Sequence, residues 1–191
     1  IMKTFMDIFY FKWKEKYDDT YSALQDSEKR LEKIRLQASE NTEGSTEKEE
    51  ELKKNNILIG LTDVSGEGVI VTLKDNQNST SDSTTLDPSY ALVHYGDILS
   101  IVDELRNAGA EAISINDQRV VSTTSITCEG NVINVNGEKV SSPFVIKAIG
   151  SSVYMYSALM RTGGSIEYIK QGVPVTVKQS NNILIKKYTG V

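Results

Sequence analysis

Asn116, Gln118 and Arg119 are the positions in this chain where side-chain type and spacing offer a binding chemistry. Two amides and a guanidinium at the end of an apolar segment could hydrogen-bond a small polar ligand, the guanidinium adding a fixed charge and a planar fork of donors. The same residues also suit a turn whose side chains satisfy neighbouring backbone. Asp97, Asp103 and Glu104 could supply carboxylates, and His94 is the single histidine. A helix cap explains Asp97, and exposed helix positions explain the other two. His94 has no cysteine or second histidine near it in sequence with which to hold a metal. No nucleophile stands with a base and an orienting group, so the chain is expected to be non-enzymatic, without metal or cofactor. Gly66-x-Gly68 precedes a strand, whereas phosphate loops need glycines after a strand and at a helix start, so these glycines read as turn geometry.

The elements that must position Asn116, Gln118 and Arg119 are a helix and a strand immediately before them. Asp97 is placed to cap the helix, and Ile98, Ile101, Val102, Leu105 and Ala108 form one apolar stripe at helical spacing. Gly109 sits where a left-handed C-terminal residue is wanted, and Ala112 to Ile115 then reads as a short strand. A helix fed so quickly into an apolar strand is half of a strand-helix-strand unit. Upstream, Val69 to Lys74 alternates as a strand, and Asp75 to Thr85 is a polar Ser/Thr-rich loop with no apolar anchor. Downstream, Asn116 to Arg119 is a turn and Val120 to Cys128 a long Ser/Thr-rich strand. Val132 to Val135, Asn136-Gly137 and Glu138 to Val140 make a hairpin with a type I′ turn. Phe144 to Ile149 is another strand, Ser151 or Ser152 caps a helix through Met160, and Gly163-Gly164 breaks it. Ser165 begins a last short helix, and Val173, Val175 and Val177 alternate as a closing strand that Ile183 and Ile185 could extend.

Charge separates this body from what precedes it. Of the 21 Lys and Arg and 26 Asp and Glu residues, 24 lie in the first 55 positions, which hold one glycine and no proline. Tyr10, Trp13, Tyr17, Leu24, Leu31 and Ile34 fall on a heptad seam running from Met6 to Ala38, with Thr20 and Ser27 as polar seam positions. Such a helix must cover its stripe with the globular body or with a partner helix, and a parallel coiled coil joining two chains is the sharper reading. Thr46-Glu47-Lys48-Glu49 has the form of a capping box that starts a second helix towards Leu58. The expected organisation is a stalk helix over residues 1–41, a connecting helix over 42–61 and an α+β domain over 62–191.

The net charge of −5 is spread over both parts, which disfavours nucleic acid as a partner because phosphate binding needs clustered Lys and Arg. Cys128 alone cannot form an intrachain disulfide. No apolar run approaches the roughly 18 to 20 residues that cross a bilayer. The chain begins at Ile1 rather than Met, which reads as a truncated or processed product from which a signal or membrane anchor could have been removed.

Two strand-helix-strand units separated by antiparallel pairing predict a ferredoxin-like split βαβ sandwich, with a mixed sheet and helices on one face. Gly66-x-Gly68-Val69, Gly96-Asp97-Ile98-Leu99 with Asp103-Glu104-Leu105, and Gly109-Ala110-Glu111-Ala112-Ile113-Ser114-Ile115-Asn116-x-Gln118-Arg119 resemble the bacterial YlxW/YlxX-like family. Cys128-x-Gly130, Val135-Asn136-Gly137, Pro143-Phe144-x-Ile146-x-Ala148-Ile149-Gly150 and Gly163-Gly164 extend the resemblance over residues 52 to 180. It implies a domain of unknown function encoded near cell-division genes, carried outside the cytoplasmic membrane by a single-pass anchor and a short coiled coil. No catalytic residues are carried over from it. The expected function is then a non-enzymatic envelope module that pairs through its stalk as a homodimer and binds another envelope or division protein. The alternative is a small-ligand-binding regulatory domain using Asn116, Gln118 and Arg119, an expectation that rests on fold analogy.

Overall fold

The structure is a computed structural model that describes residues 12, 14–17, 19–27, 29–31, 33–34, 45–76, 91–130 and 132–189. Two compact units are present, residues 1–54 and 55–191. In the first unit the described residues between 12 and 34 are each helical and exposed, and they are labelled α1. Helix α2, Ser45–Leu58, starts before the Thr46 expected to cap it. It ends in a left-handed motif: Gly60 has φ 82°, its N–H donates to the Ile57 carbonyl and the Leu61 N–H to that of Asn56.

The second unit is built on a five-stranded sheet in the order β3-β2-β7-β1-β8. The strands are β1 (Val64–Leu73), β2 (Ala112–Ile115), β3 (Gln118–Val120), β7 (Phe144–Ile149) and β8 (Val175–Ile185). Every neighbouring pair is antiparallel, which corrects the expected mixed sheet. The reason is topological. Helix α3 (Tyr95–Asn107) carries the chain from β1 to β2, and the return strand β7 inserts between them, so same-direction strands never touch. A separate antiparallel sheet holds β4 (Ile126–Glu129), β5 (Val132–Val135) and β6 (Glu138–Val140).

Val69, Val71 and Leu73 of β1 oppose Ala148, Ile146 and Phe144 of β7, and this face packs on α3, α4 (Ser152–Leu159) and α5 (Ser165–Ile169). Ile98, Ile101, Val102 and Leu105 of α3 are fully buried, as their spacing requires. The opposite face carries a smaller cluster of Ala112, Ile149, Ile183 and Ile185. Helix α3 ends as expected at Gly109, φ 85°, with the Ala110 N–H returning to the Leu105 carbonyl. Its start differs from expectation. His94 is the N-cap, and Asp97 lies inside the first turn, where its carboxylate accepts the His94 N–H at 2.8 Å.

Two strand boundaries are also corrected. β1 begins at Val64 rather than Val69, so Gly66 and Gly68 lie within the strand, at a register shift against β8. A Cβ on Gly68 would fall 1.8 Å from the Ala148 carbonyl oxygen, so the glycine is there for close backbone approach rather than for a turn. The long strand expected over Val120 to Cys128 is instead β3 and β4 in different sheets. Between them the Val121 N–H donates to Thr124 Oγ1 at 2.8 Å and the Thr124 N–H to the Val121 carbonyl, a local turn that outcompetes strand pairing. The 136–137 hairpin turn forms as expected, with Asn136 and Gly137 at φ 56° and 86°. Asp75 and Asn76 are described at the start of the polar loop, and residues 77–85 lie outside the described residues.

Candidate functional site

Asn116 and Asp117, at φ 44° and 68°, form the two-residue turn between β2 and β3. Asn116 is committed to the neighbouring strand. Its Oδ1 accepts the Val145 N–H at 2.7 Å, its own N–H donates to the Val145 carbonyl at 2.9 Å, and its Nδ2 donates to the Pro143 carbonyl at 3.2 Å. Beside it Asp117 pairs with Lys147 at 2.6 Å. Beyond the turn, Gln118 opposes Ile115 and Arg119 opposes Ser114. Successive strand residues point to opposite faces, so Gln118 shares the face of the core isoleucines while Arg119 and Ser114 share the other. The three candidate residues are thus sent in three directions, and of them only Arg119 remains as the centre of a site.

Arg119 is 4% exposed, and its Nη1 is buried without a hydrogen-bond partner. The Ser114 Oγ opposite it is likewise buried and unpartnered. Burial pushes the guanidinium below its ordinary pKa, and the charge of Asp63 opposes that shift. Asp63 itself is held below its usual range by the Lys186 ammonium and the Lys187 N–H, which donate to it at 2.9 and 2.7 Å. The backbone of Arg119 is fixed, its carbonyl accepting Asn136 Nδ2 at 3.0 Å.

Next to Arg119 is a cleft of about 90 Å³, lined by Leu58 and Gly60 from the end of α2, Arg106 and Glu111 from the end of α3, and Arg119 and Val121. The left-handed ends of two helices therefore shape it. Gly60 is required there, since a Cβ would lie 2.7 Å from Val121 Cγ1. The reading from spacing missed Gly60, although Ile59-Gly60-Leu61 after a helical run carries the signal of a left-handed helix end. It also missed Arg106, for which a basic residue in the last turn of a helix is the only local cue.

Glu104 is not an exposed helix position, because its side chain is only 11% exposed. Its Oε1 accepts Arg161 Nη2 at 3.1 Å, the Ser165 N–H at 3.0 Å and Ser165 Oγ at 2.9 Å, clamping α3 to the start of α5. Burial raises its pKa, but the Ser165 N–H and hydroxyl and Arg161 together hold the carboxyl below its usual value. Asp103 is exposed and pairs with Arg106 at 3.8 Å. Among the described residues no group of three His, Cys, Asp or Glu side chains is arranged to hold a metal ion, and no helix is long and apolar enough to cross a membrane.

On α1, Tyr17, Leu24, Leu31 and Ile34, the residues expected on the seam, are 54%, 56%, 51% and 63% exposed. Tyr17 stacks on Tyr21 with ring centroids 6.2 Å apart. Thr20 and Ser27 satisfy their hydroxyls within the helix, Thr20 Oγ1 donating to the Lys16 carbonyl and Ser27 Oγ to that of Ala23. Tyr10 and Trp13 lie outside the described residues.

The family model described as "Bacterial protein of unknown function (DUF881)" matches residues 51–191. The chain is similar to UPF0749 protein YlxW of Bacillus subtilis, 33% identical over 138 residues that make up 72% of this chain and 58% of that protein. UPF0749 protein Mb1856 of Mycobacterium bovis is 29% identical over 155 residues, 78% of this chain and 49% of that protein. The chain thus spans about half the length of the curated relatives it matches. A crystal structure of an uncharacterised conserved protein from Mycobacterium tuberculosis is 27% identical, with a TM-score of 0.61 over 72% of this chain and 91% of that one.

Proposed function

The chain belongs to the DUF881 family of bacterial proteins of unknown function, and on that premise we propose that it is a non-enzymatic interaction module of the cell envelope that works as a homodimer. The observation that carries this reading is the apolar seam of α1, whose Tyr17, Leu24, Leu31 and Ile34 are each more than half exposed. Leaving four large apolar side chains in water is unfavourable, and a second copy of the same heptad helix is the surface that complements them. Internal satisfaction of Thr20 and Ser27 lets these positions enter a seam without bringing unpaired hydroxyls. In the domain, Glu104 and Asn116 tie neighbouring elements together and Asp97 caps its own helix, which fits a scaffold better than an acid-base centre. The strand order β2-β7-β1-β8, with helices bridging β1 to β2 and β7 to β8, supports the ferredoxin-like split βαβ sandwich for its core.

Placement on the outer face of the cytoplasmic membrane through an upstream anchor, and a link to cell division or another envelope process, follow from the resemblance to the YlxW/YlxX-like family. The partner in this reading is another envelope or division protein, and nucleic acid is disfavoured by the dispersed net charge of −5.

Light scattering of the full chain is expected to give a dimer that becomes monomeric when residues 1–41 are removed, and when Leu24 and Leu31 are both replaced by Asp. A monomer with α1 intact would sink the pairing. Proximity labelling in the native host tests location, and labelling confined to cytoplasmic proteins would defeat the extracytoplasmic assignment.

A further inference from the structure

We propose that strand β8 pairs antiparallel with β8 of a second copy, through residues 175–179 about a two-fold axis at Val177, and so joins two five-stranded sheets edge to edge. The inference rests on the pairing of two chains through α1, which brings the second edge near. β8 is the end strand of its sheet, Val175–Ile185, and among the described residues no strand lies beyond it. The ladder fixes which of its backbone groups face outward. The Lys74 N–H donates to the Pro174 carbonyl at 3.0 Å, so in the antiparallel register Thr72 with Thr176 and Ile70 with Lys178 exchange hydrogen bonds. Val175, Val177 and Gln179 therefore turn their N–H and C=O groups away from β1. Such an edge is a template for another strand, and residues 175–179 carry a single charge and no proline to guard it.

The sequence of the edge selects a second copy and a register. An axis at Lys178 would set two lysines against each other, and one at Gln179 would run into the register irregularity between Ser180 and Ile183. An axis at Val175 or Thr176 would reach back past the start of the strand to Pro174. At Val177 all three are avoided: Val177 meets its own copy, Val175 meets Gln179 and Thr176 meets Lys178, a self-complementary pairing without like charges opposed. Val175 and Val177 are half-buried against the main core, which the pair extends across the axis. Helix α4 packs on β1 and β8 and leaves Val153 and Tyr154 62% and 73% exposed. The two-fold sets both α4 helices on one face of the joined sheet, on either side of the seam, where these side chains gain cover. Five paired residues fall short of the roughly 1,000 Å² of a free-standing interface, so loss of α1 releases this contact too.

The test is amide hydrogen exchange of the full chain followed by NMR, with light scattering on the same sample. The Val177 and Gln179 N–H groups are expected to exchange at least about tenfold more slowly than unbonded amides. Thr176→Lys, at an exposed position, opposes Lys178 of the partner subunit and is expected to speed that exchange, whereas Thr176→Glu is expected to slow it. Gln179→Pro removes an outward donor, leaves the ladder to β1 intact, and is expected to return Val177 to the rate of an unbonded amide. A dimer in which Val177 and Gln179 exchange as unbonded amides overturns the edge pairing and leaves pairing through α1 standing. A monomer defeats pairing through α1 and the edge contact with it, since slow exchange there would trace to cover from the same chain. Equal exchange in the Lys and Glu variants overturns the axis at Val177.

Discussion

The Asp75 carboxylate accepts the backbone N–H of Val93 at 2.9 Å, joining two residues 18 positions apart on either side of a polar excursion. The Asn76 N–H donates to the Ala91 carbonyl at 2.8 Å and the Asp75 N–H to Ser142 Oγ at 2.9 Å, so the base of the excursion is tied to itself and to the approach to β7. Val93 is 6% exposed, and its N–H has little water to turn to. Asp75→Ala is expected to destabilise the domain by about 2 kcal/mol, the usual loss when a charged acceptor is removed from a buried donor. Asp75→Asn, whose Oδ1 still accepts, should lose less. Urea unfolding of the two variants checks the order, and equal losses would refute the hydrogen-bond account.

Glu104 makes stability depend on pH in a known direction. Its folded pKa lies below the ordinary value of 4.5, so the unfolded chain binds the proton more readily. The carboxylate therefore contributes its full stabilisation above pH 4.5, and that contribution is lost as pH falls through the lower folded value. Asp63 is shifted the same way and adds a weaker dependence, because it is largely solvated. Glu104→Gln is expected to lower stability at pH 7 by about 2 kcal/mol and to flatten the loss of stability in acid. Unfolding curves taken from pH 7 to pH 3 would contradict the clamp if the variant and parent lost stability in parallel.

Three glycines should differ in a predictable order when changed to Ala. Gly109, φ 85°, has nothing within 4 Å of an added Cβ and should lose about 1 kcal/mol from its left-handed backbone alone. Gly60, φ 82°, carries the same backbone term, and its Cβ would also lie 2.7 Å from Val121 Cγ1, so roughly 2 kcal/mol is expected. At Gly68 the Cβ would overlap the Ala148 carbonyl oxygen at 1.8 Å, and the β1–β7 pairing must open to admit it. Thermal melts should rank Gly68→Ala as the most damaging, and a milder effect there than at Gly109 would disprove the close approach.

Asn116 separates backbone conformation from hydrogen bonding. Asn116→Gly keeps access to φ 44° while losing the bonds to Val145 and Pro143, and Asn116→Ala loses both advantages. The expected costs are about 1 kcal/mol for Gly and about 2 kcal/mol for Ala. Asn116→Asp retains the acceptor for the Val145 N–H and should fall nearest the parent. Denaturant midpoints for the three variants decide it; an Ala variant as stable as the parent would remove Asn116 from any structural role.

Much of the fold was legible because its signals are local. The stripe Ile98, Ile101, Val102 and Leu105 names a helix face, Gly109 its end, and Asn136-Gly137 a hairpin, each through periodicity or backbone conformation within a few residues. β5, β6 and β7 fall where alternation and turn residues put them. The misplaced boundaries belong to signals that compete. Gly66 and Gly68 look like a turn, yet are needed by a neighbouring strand's carbonyl that spacing cannot reveal. The run after Val120 has strand composition, yet Thr124 offers the backbone a nearer partner.

The candidate site divides in the same way. Asn116, Gln118 and Arg119 could be singled out as a group because they are close in sequence, but strand alternation and the bonds of Asn116 to β7 separate them in space. Residue type by itself determined that Arg119 carries a permanent charge. That this charge lies buried beside Gly60 and Arg106, with Nη1 unpaired, was decided only when the chain segments at residues 58–60 and 106–111 met β3. A site assembled from segments about 60 positions apart has no local pattern to betray it, because burial and charge complementarity depend on which chain segments meet.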